Sequence, residues 1–518
     1  MNDQNWGWKL VLGCWNFARK APWLAEVGVF AIMLALYLPL QQSKSFADPD
    51  SFYHLKMAEL IAVQGPIRNF IWMPFTTLAK SFADQHFLYH VALIPFIKIL
   101  GPFIGMKIAT AVLAALAIAA LAWSMRYAGI RYAWFFALAA GVMNVFAFRI
   151  GLSKASAPGV ALLMIGLALA ARRKIWPLAA VAFLYVWTHG SWPSLVGLGT
   201  VVIFITSWDG GLRATCQRLS ASLLALWSGA VAGIVINPFF PQNLKFYWEQ
   251  IVQIAVINYQ SKIGVGAEWY PYEPARLASD LPLVCLMAAV ALIAFPAIVS
   301  ATGDAAREKR LRVAVALSAC AGAFLLLTLR SQRHVEYFVP LAIAAAASWI
   351  TEIRFPGAWP FFKKNYVAGI FVIAGSLAMI LSFAATDLAR AQKDLVGSYD
   401  FTLYQKAAEY LKANTAPGEV VLHADWDDMP PLFYWDDKNK YVMGLDPTFL
   451  YRANSKLYWS YVNFTLGKSD DPPSVMKELG ARYVVADRVH RELETMLARS
   501  SRFTRVYSDK ESVIYLFK

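Results

Sequence analysis

The chain has 518 residues, 58% of them hydrophobic, and a mean hydropathy of +0.45, which excludes an ordinary soluble globular protein. The net charge of +14 does not indicate a nucleic-acid partner. Lys and Arg gather in short loops between apolar runs, where they set membrane orientation and meet anionic membrane lipids.

A membrane crossing needs roughly 20 apolar residues, somewhat fewer where helix ends are buried. Runs of this kind fall at 23–40, 105–125, 132–148, 157–171, 175–190, 193–207, 219–236, 280–300, 313–329, 336–350 and 366–385. The first lacks a cleavage pattern and reads as a retained anchor. Basic loops alternate along the series: Arg126/Arg131, Arg172/Arg173/Lys174, Arg213/Arg218, Arg307/Lys309/Arg310/Arg312 and Arg354/Lys363/Lys364, joined by Lys9, Arg19 and Lys20 at the N-terminus. They define a cytoplasmic side. Loops 41–86 and 237–279 and everything after 385 then lie outside. Phe87 to Ile104 is apolar enough to span, yet a crossing there would invert every later loop. With Lys98 inside it, it reads as packed on the membrane or dipping into it.

The predicted architecture is therefore a polytopic α-helical membrane domain, residues 1–385, with about 11–13 spans. It is followed by an external α/β domain, residues 386–518. Such a chain belongs in a plasma membrane, for instance the bacterial inner membrane, with its N-terminus cytoplasmic and its C-terminal domain periplasmic. In that domain 404–414, 474–479 and 492–498 read as helices, and 419–423, 481–486, 503–507 and 512–517 as strands. The four cysteines, Cys14, Cys216, Cys285 and Cys320, show no CxxC spacing and point to neither a disulfide framework nor a zinc site. No nucleotide-binding motif is present.

The exceptional polar residues fall on the external side. Asp48-Pro49-Asp50 places two carboxylates at one membrane surface; the bland alternative is that Asp50 only caps the amphipathic run 51–63. Arg149 and Lys154 follow the third run, His189 ends the fifth, Glu268 lies in the loop 237–279, and Arg330, Arg333 and His334 share a short loop. Cations in short external loops run against the orientation bias, and snorkelling to lipid headgroups is the simple account. Two such loops facing a carboxylate pair suit an anionic substrate, since the Arg fork matches phosphate geometry. The acidic stretch Asp425-Trp426-Asp427-Asp428 follows the first strand of the C-terminal domain, where α/β domains carry functional loops.

On these motifs the chain resembles the GT-C superfamily of membrane glycosyltransferases, and most closely the oligosaccharyltransferase catalytic subunits. Asp50-Ser51-Phe52-Tyr53-His54 is similar to the Asp-Pro-Tyr-Tyr-His motif of archaeal members, and Trp426-Asp427 to part of their Trp-Trp-Asp-Tyr-Gly signature. The resemblance implies transfer of a sugar or oligosaccharide from a polyprenyl phosphate or pyrophosphate to a protein, lipid or glycan acceptor. It makes Asp50, with Asp48 and Glu268, catalytic. Arg149, Lys154, Arg330, Arg333 and His334 would bind the donor phosphate, and Trp426, Asp427 and Asp425 the acceptor. The family also implies a divalent ion such as Mg2+ or Mn2+. Here, however, Arg149 is followed by Ile-Gly-Leu-Ser-Lys154-Ala-Ser-Ala-Pro, with no carboxylate where the second acidic motif belongs. The expectation leans to metal-independent transfer, with Asp48, Asp50, His189 and Glu268 as the ligand set should a metal be required. Two alternatives remain open: a transferase using a polyprenyl-monophosphate sugar to modify lipid or polysaccharide, and, in another class, a transporter or flippase. Against the latter, no internal repeat is visible.

Overall fold

The computed structural model describes residues 23–208, 212–300, 304–353 and 366–518. Cys14, Lys9, Arg19, Lys20, Arg354, Lys363 and Lys364 lie outside the described residues. Every predicted apolar run is found in helix. Trp23–Leu40, Pro102–Ala128, Pro282–Ser300 and Ala305–Arg330 are each long and apolar enough to cross a membrane. Ser156–Ala171, Ile175–Thr188, Trp192–Ser207 and Leu219–Val235 are shorter apolar helices packed among them, as is Phe87–Leu100, the segment that resists a full crossing.

The predicted third run is broken. Ala133–Gly141 and Asn144–Gly151 meet at a bend of 77°, and the freed amide of Asn144 donates to Asp387 Oδ2 at 3.0 Å, satisfying a helix-end group that an unbroken helix would satisfy internally. The bend brings Arg149 and the following Lys154 to the loop 41–86, where Lys154 meets Asp48 and Asp50. The last long helix, Tyr366–Leu395, continues past residue 385, so the predicted domain boundary falls inside it.

Two strands tie the loop 41–86 to the C-terminal domain. β1 (Ser45–Phe46) pairs antiparallel with β2 (Tyr399–Asp400), Ser45 opposite Asp400. Phe46 and Phe52, each at most 1% exposed, pack with Phe103 and Phe401 beneath this seam; burying a Phe side chain stabilises by about 1.5–3 kcal/mol. The domain itself carries a mixed sheet of β3 (Val420–His423), β4 (Lys440–Tyr441), β5 (Ala481–Asp487), β6 (Phe503–Ser508) and β7 (Ser512–Phe517), in the order β4-β3-β5-β7-β6. β4 and β5 run parallel to β3, while β7 pairs antiparallel with β5 and β6. The loop leaving β3 brings Trp426 and Asp427 to a cleft shared with Asp48 and Asp50 of the loop 41–86.

Candidate active site

Asp48 and Asp50 divide two jobs. Asp48 Oδ1 accepts the Asp50 backbone N–H at 2.9 Å and so caps the helix Asp50–Gln64, whose cap residue proper is Pro49. Asp50 is thereby free of the capping role that the sequence left open to it. Its Oδ2 pairs with Lys154 Nζ at 3.0 Å, and Asp48 Oδ2 with the same ammonium at 2.7 Å. Asp50 Oδ1 is enclosed and has no hydrogen-bond partner. Burial, with Asp48 adding and Lys154 opposing, pushes the Asp50 carboxyl up to about 6.

Beside this triad runs a second ionic chain. Arg149, 8% exposed, donates through Nε and Nη2 to Glu336 Oε2 at 3.0 and 2.8 Å. Its Nη1 reaches Glu268 Oε2 at 2.7 Å. Glu268 Oε1 lies 3.4 Å from Arg333 Nη1, and that guanidinium sits 4.3 Å above the Trp269 ring. Despite burial, Arg333 and Arg149 hold the Glu268 carboxyl well below the usual carboxylate range. Glu336 was not singled out from sequence. The signal was present: a carboxylate inside an apolar run, three residues from Arg333, is costly unless paired.

Two connected spaces open onto these groups. An inner chamber of about 140 Å³ is lined by Asp50, His54, Asp84, His86, His189 and Arg333, among others. A larger outer cleft of about 820 Å³ runs past Asp48, Phe148, Trp426 and Asp427. Asp50, Arg149, Lys154, Glu268 and Asp446 border both. Burial first, then Asp425, Asp50 and Asp48, pushes Asp427 up to about 8, so it enters the cleft largely protonated near neutral pH. Asp425 does not line the cleft. It caps the turn Trp426–Asp428, accepting from Asp427 N at 3.0 Å, while Asp428 Oδ2 accepts from Asp425 N at 2.9 Å.

Of the predicted phosphate-binding groups, Arg149 and Lys154 border both spaces and Arg333 lines the inner chamber. Arg330 does not: it is exposed and donates to the Val256 carbonyl. His334 also lies off the lining, its Nδ1 on the Ser331 carbonyl at 3.3 Å and its ring against Phe324. Both are carried away because Ala305–Arg330 ends just before the loop turns inward at Arg333. The ligand set named from sequence is not gathered either. Asp48 and Asp50 share Lys154, Glu268 is taken up by two arginines, and His189 Nδ1 bonds Ser191 Oγ at 2.6 Å. Among the described residues no three His, Cys, Asp or Glu side chains converge as a metal ion requires. Lys154 Nζ lies between the Asp48 and Asp50 carboxylates.

No protein-family model and no curated protein matches the sequence. Solved structures do. The oligosaccharyltransferase of Archaeoglobus fulgidus, in complex with zinc and sulfate, aligns over 94% of this chain and 73% of its own at 15% identity, TM-score 0.57. ArnT from Cupriavidus metallidurans, bound to undecaprenyl phosphate, aligns over 96% and 98% at 16% identity, TM-score 0.60. The chain has the GT-C fold. The mycobacterial arabinofuranosyltransferase AftD matches at TM-score 0.58 and 14% identity, with this chain spanning 40% of its length. In this GT-C chain the residues above occupy the face between helix bundle and C-terminal domain.

Proposed function

We propose that the protein is a membrane glycosyltransferase that moves a sugar from a polyprenyl phosphate or pyrophosphate donor to an acceptor, with Asp50 as general base. One observation carries this reading: a carboxylate with an enclosed, partnerless oxygen, raised to about 6, in the wall shared by two substrate-sized spaces and beside three cations. In the step itself, the Asp50 carboxylate takes the acceptor proton as the acceptor atom bonds to the sugar C1 carbon. The C1–O bond to phosphate breaks, and its electron pair leaves with the phosphate, whose charge Lys154, Arg149 and Arg333 meet.

Lys154 replaces a divalent ion in this reading, and transfer proceeds without one. Membrane anchoring keeps the donor's lipid tail in the bilayer while its head reaches the junction. On the orientation set by the basic loops, that junction is external. The acceptor comes through the outer cleft past Trp426 and Asp427.

Donor chemistry favours the monophosphate. The chain and ArnT cover one another almost completely, at 96% and 98%. The acidic stretch, besides, uses Asp425 as a structural cap rather than as a cleft residue. The deciding experiment incubates the purified full chain with polyprenyl-phosphoryl and polyprenyl-pyrophosphoryl sugars and identifies the released lipid. Asp50→Asn should lower transfer about 100-fold or more with the melting temperature unchanged, because Asp48 does the capping. Retained transfer would remove Asp50 from the mechanism.

A further inference from the structure

Four of the seven histidines, His54, His86, His90 and His189, cluster behind Asp50, and the transfer step above uses none of them. Their protons follow from the hydrogen-bond network. His90 Nδ1 donates to Asp84 Oδ2 at 2.7 Å. His90 Nε2 must then accept, so His54 Nδ1 donates to it across 2.8 Å, and His54 Nε2 is left with a lone pair. His86 Nδ1 faces the Thr188 carbonyl at 3.4 Å, which leaves its Nε2 an acceptor too. His189 has the opposite polarity: the Ser191 backbone N–H donates to its Nδ1 at 3.1 Å, so Nε2 carries the proton. None of these three Nε2 atoms has a hydrogen-bond partner among the described residues, and none is among the enclosed partnerless atoms. All three rings line the inner chamber.

The chamber is thus a set of fixed acceptors and a donor awaiting partners. A phosphate is drawn to Lys154, Arg149 and Arg333, which also line the chamber; at the histidine end it would meet lone pairs at His54 and His86 with the Asp84 carboxylate behind them, which is unfavourable for an anion. An apolar group would leave three polar atoms unpaired. A neutral polyol answers the whole pattern, with Phe82, Phe246 and Phe449 as apolar wall for its C–H face. The volume, about 140 Å³, is of the order of the engineered cavity of roughly 150 Å³ that accepts one benzene ring. It suits a single sugar ring.

Resting on the transferase reading, we propose that the inner chamber seats the transferred sugar as a single ring, and that His54, locked as an acceptor by Asp84 and His90, reads one of its hydroxyls. The ring's anomeric end would then lie toward Asp50 and the three cations at the chamber's mouth, with the phosphate beyond it. His54 and His90 are positioned for recognition, and the base remains Asp50.

Asp84→Asn gives a test that keeps the shape and reverses the polarity. Asp84 Oδ1 accepts the His86 backbone N–H at 2.9 Å, a bond an amide nitrogen cannot make. In the variant the carbonyl oxygen keeps that place and the amide N–H faces His90. The chain of donors then reverses, and His54 Nε2 becomes a donor. With purified full chain in nanodiscs, Asp84→Asn should weaken binding of a polyprenyl-phosphoryl hexose about tenfold. Binding of sugar-free undecaprenyl phosphate should stay within about twofold. Methyl hexosides at millimolar concentration should raise the melting temperature of the wild type and not of the variant. Equal weakening of both lipids, or no change in either, would overturn the proposal. If the wild type binds no polyprenyl lipid but is stabilised by methyl hexosides, the donor reading fails and the sugar chamber stands. If neither lipid nor glycoside acts on the wild type, both fall.

Discussion

Arg149 and Lys154 are five residues apart in one short segment, yet the molecule treats them differently. Arg149 is bracketed by Glu336 and Glu268, and its guanidinium is spent on two carboxylates that it also positions. Lys154 bridges Asp48 and Asp50 with a single ammonium and leaves one oxygen of Asp50 without a partner. A saturated network fixes the direction in which its charge is presented; an incomplete one leaves its groups free to shift. The difference lies in the cation. A planar fork satisfies several lone pairs in fixed directions, whereas an ammonium acts as a point charge. Structure is therefore held on the Arg149 side and reactivity is stored on the Lys154 side.

The largest effect should come from breaking the saturated side. Glu336→Ala strips a buried Arg149 of the carboxylate that takes two of its hydrogen bonds, and removing one member of a buried pair costs about 3–5 kcal/mol. Chemical or thermal unfolding in detergent should show a loss of that size, whereas Asp50→Asn should show almost none. Equal stability in both variants would erase the distinction drawn between the two cations.

Lys154→Ala sharpens the comparison from the other side. It should cut transfer about tenfold or more at neutral pH, since one fixed charge facing the leaving group is lost. It also exposes two carboxylates with nothing between them, so Mg2+ or Mn2+ should restore part of the activity to the variant. The wild type should tolerate a chelator. Complete, reversible loss of wild-type activity on chelation would mean that the ammonium does not stand in for an ion.

The pH dependence has a stated sign. Asp50 must be ionised to act as a base, so kcat/KM should climb as pH rises through about 6 and then level off. Because Lys154 lowers that carboxyl, its removal should move the rise to higher pH. Asp427 gives a thermodynamic counterpart. Its folded value, about 8 against an ordinary 3.8, means that the native state holds a proton the unfolded chain gives up. Its contribution to stability is full below about 4 and is lost as pH climbs through 8. Asp427→Asn should flatten the melting temperature across that window. The smallest effect belongs to Arg330→Ala, which should change donor affinity less than about twofold, well below Arg333→Ala.

Much of this fold was legible in the sequence, because apolar runs and their alternating basic loops report directly on transfer into lipid. Strands β5, β6 and β7 were readable for a similar reason, each being a compact run of β-branched and aromatic residues. The two-residue β4 was not, since so short a strand exists only by pairing with β3. At the site, Asp48, Asp50, Lys154 and Glu268 stood out as charges where charges are rare. Glu336 was hidden because its partner Arg149 lies more than a hundred residues away, which leaves no local pattern, and Asp84 because its pairing with His90, only six residues on, is buried among apolar neighbours. His86 and His90, four apart along one helix face, offered a hint that the surrounding leucines and isoleucines obscured. Arg330 and Arg333 looked equivalent on the page. Three residues of helix end were enough to send one to solvent and the other into the chamber.

The β1–β2 pair has a consequence for biogenesis. The strand partner of Ser45–Phe46, Tyr399–Asp400, is synthesised hundreds of residues later, so the loop bearing Asp48 and Asp50, though met earlier by Lys107 and Lys154, waits for that pairing through most of synthesis. Chain growth at about 5–20 residues per second makes that wait tens of seconds. During it the nascent protein has its helices but not its working face. Polypeptides that stall or are clipped before residue 399 lack that strand partner, so on the transferase reading proposed above only copies that extend past it can act on donor lipid.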